Sequence, residues 1–212
     1  MWRRWDPHVH LPGTLLNDQF GDLTIEQALD RLAGCTPKIE AVGVTDYFTT
    51  RTFRRAWTAW QGGAGAGIQL LFPNVELRLD VPTGAGAGVN LHLLCPPEEI
   101  DALDRFIGSL EFSWSGRAFR ADRPGLMALG RAFRDNDALD DDAAPKEGAQ
   151  QFKVTFEGLR RVHESDAWAR EYCLVGVAGG QGDGTSGLRA PDGGFAARRQ
   201  AIEKFASIVF SS

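Results

Sequence analysis

What the chain has little of narrows the field first. Only three of its 212 residues are cysteine. Cys35, Cys95 and Cys173 are far apart, odd in number and never in a C-x-x-C pair, so nothing reads as a disulfide framework, and a reduced, cytoplasmic setting is the expectation. No apolar run approaches the roughly 18 residues of a membrane span. The first residues, MWRRWDPHVH, hold two arginines with no apolar stretch behind them, so they do not read as a signal peptide. The net charge of −5 gives no overall basic footprint. Any nucleic-acid contact must therefore be local or supplied by another segment. Histidine is also scarce, at four residues, yet His8 and His10 stand one residue apart.

What is present is an alternation of strand-like and helix-like segments around a 43% hydrophobic composition, enough for a real core. Residues 5–10 read as a strand. Thr24 caps a helix to Ala33 with Ile25, Ala28, Leu29 and Leu32 on one face. IEAVGVTDYF is a buried strand, and 51–61 a helix with Phe53, Trp57 and Trp60 on one side. IQLLFPNVELRLDV gives one or two strands, broken at Pro73-Asn74, and VNLHLLCP another. Pro97 opens a helix carrying Ile100, Leu103, Phe106, Ile107 and Leu110. A weaker helix covers 124–135, QFKVTF is strand-like, 156–170 a helix, CLVGVAGG a buried strand and 194–210 a last helix. GGAGAG at 62–67 is a helix-to-strand loop and GAGAG at 84–88 a hairpin turn. The acidic stretch 135–150, poor in large apolar residues, reads as an exposed loop. The pattern predicts an α/β fold with a largely parallel sheet in a single domain over 1–212.

In such sheets ligands gather at the carboxyl ends of strands. Strand alternation puts His8 and His10 on one face, with Asp6 beside them. The next strand ends in Thr45-Asp46-Tyr47, the third carries Glu76, the fourth His92, and CLVGVAGG leads to Asp183. Imidazole and carboxylate together suit zinc, manganese or iron. Each residue alone has an ordinary reading: His92 as a hydrogen-bonded core residue, Glu76 as solvent-facing, Asp46 as a turn cap, His163 as an exposed helix residue. Their order on successive strands favours a shared site. One competing motif, GGQGDGTS at 179–186, nearly matches a phosphate-binding loop. Thr185 replaces its lysine and no helix follows, so it reads as a glycine-rich loop.

That order resembles the PHP (polymerase and histidinol phosphatase) domain. Asp6-Pro-His8-Val-His10, Thr45-Asp46-Tyr47, Asn74-Val75-Glu76, His92 and Asp183-Gly-Thr185 stand where that family has D-x-H-x-H, T-D-H, N-V-E, a strand histidine and D-x-H. More narrowly, WRRWDPHVHLPGTLLNDQFG, GVTDYFT, FPNVELRLDV, NLHLL and GDGTSGLR are similar to the front part of TrlF-like proteins, in which a PHP domain precedes an SMC/AAA-like ATPase. On this resemblance, FASIVFSS fits a cut before the ATPase.

The resemblance implies a distorted β/α barrel of PHP type, complete or incomplete. It also implies phosphoester hydrolysis at a metal cluster. His8, His10, Glu76 and His92 are the implied ligands of one or two divalent ions (Mn, Zn or Fe). Asp46, Tyr47 and Asp183 are the candidate catalytic residues, Asn17 or Asp18 stands near the third ligand of the first motif, and Arg78 or Arg189 could clamp a phosphate. Tyr47 and Thr185 replace family histidines. A neutral phenol is a poor ligand for a divalent ion, so Tyr47 is expected in the pocket but outside direct coordination. Two expectations follow. One is a metal-dependent phosphoesterase acting on nucleic acid or nucleotides, in DNA processing or phage defence with an ATPase partner. The other is a domain that has lost catalysis and serves as an interaction or regulatory module for that ATPase.

Overall fold

A computed structural model describes residues 3–81, 88–179, 184–188 and 193–210 of the protein. The chain runs β1 (Arg4–Val9), α1 (Ile25–Ala33), β2 (Ile39–Tyr47), α2 (Arg51–Gln61), β3 (Leu70–Leu79), β4 (Val89–Leu94) and α3 (Ile100–Gly108). It continues through β5 (Glu111–Trp114), β6 (Arg117–Arg120), α4 (Arg123–Arg134), α5 (Ala143–Gln151), α6 (Phe156–Ser165) and α7 (Ala167–Tyr172). It closes with β7 (Leu174–Ala178), α8 (Gly193–Phe205) and β8 (Ile208–Phe210). Helix α1 starts as its sequence dictates: Thr24 and Gln27 form a reciprocal capping box.

Six strands form one curled, half-barrel sheet in the order β1-β2-β3-β4-β7-β8. The α/β expectation holds, but the sheet is mixed rather than largely parallel. β1, β2 and β3 are parallel, and so are β7 and β8. β4 runs antiparallel to both β3 and β7. The short β3–β4 connection explains the reversal, because a parallel crossover needs a dozen or more residues. The turn expected at 84–88 lies, but for Gly88, outside the described residues.

Odd-numbered Val75, Leu77 and Leu79 of β3 and Leu91 and Leu93 of β4 are buried with α3, α4 and α6 side chains in one core cluster. Val9, Val42, Val44 and Leu71 pack with Leu29, Phe53 and Ala56 of α1 and α2 in a second. The even-numbered residues of β3 and β4 point the other way, into the hollow of the half-barrel.

Several local expectations are corrected. β3 is not broken at Pro73. The Pro73 carbonyl accepts from the Cys95 amide, so the proline nitrogen faces the very end of β4, where only the last return bond of the ladder is missing. The stretch 135–150 is not all loop, since α5 occupies its second half. Small residues make this helix possible: a Cβ on Gly148 would lie 1.9 Å from the Leu126 carbonyl oxygen, and one on Gly130 2.1 Å from that of Ala144. α5 therefore lies backbone against backbone on α4, and its lack of large apolar side chains is what lets it do so.

QFKVTF forms only an isolated bridge, Leu79 to Val154. Residues 156–170 split at Asp166, which ends α6 and caps α7. The last segment is helix followed by strand β8, and the hairpin β5–β6 was not expected. His163 is half-buried, edge-on to Phe106 and Phe205, rather than exposed. Cys95 and Cys173, distant in sequence, are buried with their sulfurs 2.7 Å apart beside the β4–β7 ladder. Among the described residues no helix is long and apolar enough to cross a membrane.

Candidate metal centre

The site is built on the hollow side of β1, β3 and β4. β1 does not alternate strictly. Asp6 pairs with Val42 and Val9 with Val44, so one extra residue is accommodated at Pro7-His8. Gly43 of β2 permits this bulge, since a Cβ there would sit 2.2 Å from the Pro7 carbonyl oxygen. The bulge has two effects. Asp6 accepts from the His8 backbone N–H at 3.3 Å, while the His8 and His10 rings converge, their Nε2 atoms 3.0 Å apart.

Glu76 completes a triangle. Its Oε2 lies 3.4 Å from His8 Nε2 and 3.2 Å from His10 Nε2. These three residues offer ligand atoms all within 4.8 Å of one another. The edges fit a metal ion: donors about 2.0–2.1 Å from a tetrahedral ion stand roughly 3.3 Å apart, and around an octahedral ion roughly 3.0 Å. The set of two imidazoles and a carboxylate is one that zinc, iron and manganese accept. Glu76 and His10 are buried, whereas the His8 side chain keeps 19% of its surface and opens the cluster to solvent. Burial alone raises the Glu76 carboxyl, but His10, His8 and His92 outweigh it and hold its pKa below the usual carboxylate range. Among the described residues, His10 Nδ1 is buried without a hydrogen-bond partner.

His92 faces Glu76 directly across the β3–β4 ladder, and its ring centroid is 4.7 Å from that of His8. Burial lowers its pKa to about 3, with Glu76 opposing and His8 and His10 adding to the effect. It is thus a neutral imidazole at neutral pH. Phe210 of β8 closes the floor, 5.1 Å from His92.

The other expected site residues are placed differently. Tyr47 is buried, stacks on His10 at 5.5 Å with 14° between the planes, and accepts a hydrogen bond from Asn17 Nδ2 at 2.9 Å. The Asp46 carboxylate accepts from the Leu15 and Tyr47 amides and the Thr52 hydroxyl. Desolvation raises its pKa to about 6 against those donors. Asp46 is not among the residues that meet at the triangle. Asp18 accepts from the Gly13, Phe20 and Gly21 amides and holds its own loop. The Arg78 guanidinium lies over the Tyr47 ring at 5.7 Å and donates to the Gln150 carbonyl. Thr185 donates to Glu203 of α8. Residues 180–183 of the glycine-rich stretch, Asp183 among them, and Arg189 lie outside the described residues.

Sequence reading passed over two residues that touch this site, Asn74 and Asn90. A signal was there: Asn74-Val75-Glu76 and Asn90-Leu91-His92 repeat one spacing on consecutive strands, an amide two residues before a ligand-type side chain.

No protein-family model matches the chain, and no curated protein matches it by sequence. Among solved structures it is similar in shape to a protein from Bifidobacterium adolescentis assigned as a metal-dependent phosphoesterase, at 14% identity and TM-score 0.47, over 98% of this chain and 76% of that one. It is also similar to an amidohydrolase from Chromobacterium violaceum with bound sulfate and no metal, at 14% identity and TM-score 0.43, over 89% of this chain and 72% of that one.

Proposed function

We propose that the chain is a PHP-type metal-dependent phosphoesterase that holds one or two divalent ions (Mn, Zn or Fe) and acts on nucleic acid or nucleotides. The observation that carries the metal part is the His8–His10–Glu76 triangle, with edges of 3.0 to 3.4 Å and a buried carboxylate at one corner. The ordered motifs of the sequence support the phosphoester part. A role in DNA processing or phage defence beside an SMC/AAA-like ATPase extends the same resemblance.

In this reading His8, His10 and Glu76 hold the ion, and His92 is a further donor at its side. A divalent ion bound there supplies Lewis acidity, which makes hydroxide accessible near neutral pH and offsets phosphoryl charge. Tyr47 restrains the His10 ring by stacking on it. Asp46 ties the loop at Leu15 and, through Thr52, the first turn of α2 to the end of β2. Water and substrate enter past His8, the exposed member of the cluster. Asp183 stays a candidate on sequence grounds.

A second reading has specific support. Thr185, at the position of the family's last histidine, is committed to Glu203, and Tyr47 occupies another ligand position as a stacked phenol. These favour a domain that binds metal without turnover and acts as an interaction module. One experiment separates the readings. The chain, purified without chelators, is assayed for Mn, Zn and Fe and for hydrolysis of generic phosphomonoesters, phosphodiesters and DNA. Stoichiometric metal with turnover supports the enzyme; metal without turnover supports the module; absence of metal after reconstitution overturns both assignments of the cluster.

A further inference from the structure

The β3–β4 ladder pairs Glu76 with His92, Asn74 with Leu94 and Arg78 with Asn90. Residues two positions off a direct pair are diagonal neighbours on the same face. Asn74 is therefore diagonal to His92, and Asn90 to Glu76. Both diagonals are hydrogen-bonded: His92 Nδ1 to Asn74 Oδ1 at 3.1 Å, and Asn90 Nδ2 to Glu76 Oε1. The amide on each strand holds the ligand-type residue of the other. All four side chains are buried, none more than 5% exposed.

The orientation of each amide follows from its partners. Asn74 Nδ2 donates to the Pro7 carbonyl at 2.7 Å, and a carbonyl can only accept. Asn74 must then present its oxygen to His92, so His92 Nδ1 carries the proton. In a neutral imidazole the other nitrogen is a bare lone pair. That Nε2 is buried and has no hydrogen-bond partner among the described residues. Asn90 is fixed likewise. A carboxylate only accepts, so Nδ2 faces Glu76 Oε1 and leaves Oε2 to the two histidines. Through Pro7, Asn74 also pins the bulge that aims His8.

We propose that Asn74 and Asn90 are reciprocal positioning residues of the candidate metal centre, Asn74 fixing His92 as its Nδ1–H tautomer and Asn90 fixing which Glu76 oxygen meets His8 and His10. The inference rests on the metal reading for its purpose. A pair serving stability alone would satisfy its polar atoms. Here His92 Nε2 and Asn90 Oδ1 are left without hydrogen bonds among the described residues, the first being a lone pair that a metal would take. Metal-binding histidines characteristically donate their second ring nitrogen to an oxygen that sets tautomer and orientation, and loss of such a partner costs 10- to 100-fold in metal affinity.

The test is a long-range proton–nitrogen correlation spectrum of the metal-free chain, with His92 assigned by its loss in His92→Gln. The expected result is a proton on Nδ1 in the wild type, moved to Nε2 or shared in Asn74→Leu, and kept on Nδ1 in Asn74→Asp, where a carboxylate oxygen replaces the amide oxygen. Zinc titration should show Asn74→Leu and Asn90→Leu weakened about 10- to 100-fold, and Asn74→Asp weakened as well, because its second carboxylate oxygen cannot donate to the Pro7 carbonyl that shapes the His8 bulge. A wild-type His92 protonated on Nε2, or a tautomer unmoved by Asn74→Leu, overturns the proposal. If Asn74→Leu fails to fold, the wild-type and Asn74→Asp spectra still decide. An Nδ1 proton in a chain that binds no zinc upholds the tautomer assignment and overturns the metal reading alone.

Discussion

The β3–β4 ladder and the α4–α5 pair are both places where the chain presses two elements together, and they do so by opposite means. On the hollow side of β3–β4, four buried polar side chains are held by crossed bonds, while Val75, Leu77, Leu79, Leu91 and Leu93 face the core on the other side. Between α4 and α5 the closest approach is backbone to backbone, which Gly130 and Gly148 permit, with the Arg134–Glu147 ion pair beside it. The first contact fixes the direction of individual atoms. The second fixes only a distance. A region meant to hold chemistry needs the former, because a ligand set is useless with its lone pairs misdirected; a region meant to hold shape can rely on the latter.

The contrast breaks most sharply at Gly148. Gly148→Val puts side-chain atoms onto the Leu126 carbonyl, and the strain must separate α4 from α5. We expect a loss of at least about 3 kcal/mol, read as a lowered urea midpoint, since overpacking commonly costs about 1–3 kcal/mol and here the obstacle is backbone. An unchanged midpoint would mean that the two helices do not touch there.

The converse change is His8→Ala with His10→Ala. Two of three donors disappear, so bound Mn or Zn should fall from stoichiometric to background and any phosphoesterase activity should vanish. The fold should persist, because its core lies on the other face of the sheet. Activity that survives this double change places the chemistry elsewhere.

Asp46 sharpens the comparison through pH. Its pKa is raised from the ordinary carboxyl range to about 6 by desolvation. Between about pH 4 and 6 the folded chain thus holds a proton that the unfolded chain has lost. The contribution of Asp46 to stability falls as pH rises through that window, by up to about 3 kcal/mol. Urea unfolding of wild type and Asp46→Asn at pH 7 and pH 4.5 checks the sign: wild type should gain relative to the variant at the lower pH. Parallel curves would show an ordinary pKa.

The smallest expected effect is at Tyr47. Tyr47→Phe keeps the ring on His10 and removes the oxygen that accepts from Asn17. About 1 kcal/mol of stability should go, with metal stoichiometry unchanged. Metal lost in this variant would put the phenol among the ligands.

The amino-acid sequence by itself determined the alternation of elements, the capped start of α1, the two helices that flank β2 and the candidates His8, His10, Glu76 and His92. Those features are local, or they are polar residues in apolar runs, and both leave a mark on the linear string. Only the tertiary structure decided that β4 runs backwards, that a glycine-bearing acidic stretch is a packed helix, that two distant cysteines are neighbours and that Asp46 serves a loop rather than the triangle. It also decided that Asn74 and Asn90 cross between strands, a relation that exists only once the register Glu76 to His92 is set. Strand direction, close backbone approach and the orientation of a lone pair are properties of pairs of segments, and no single stretch of residues can hold them.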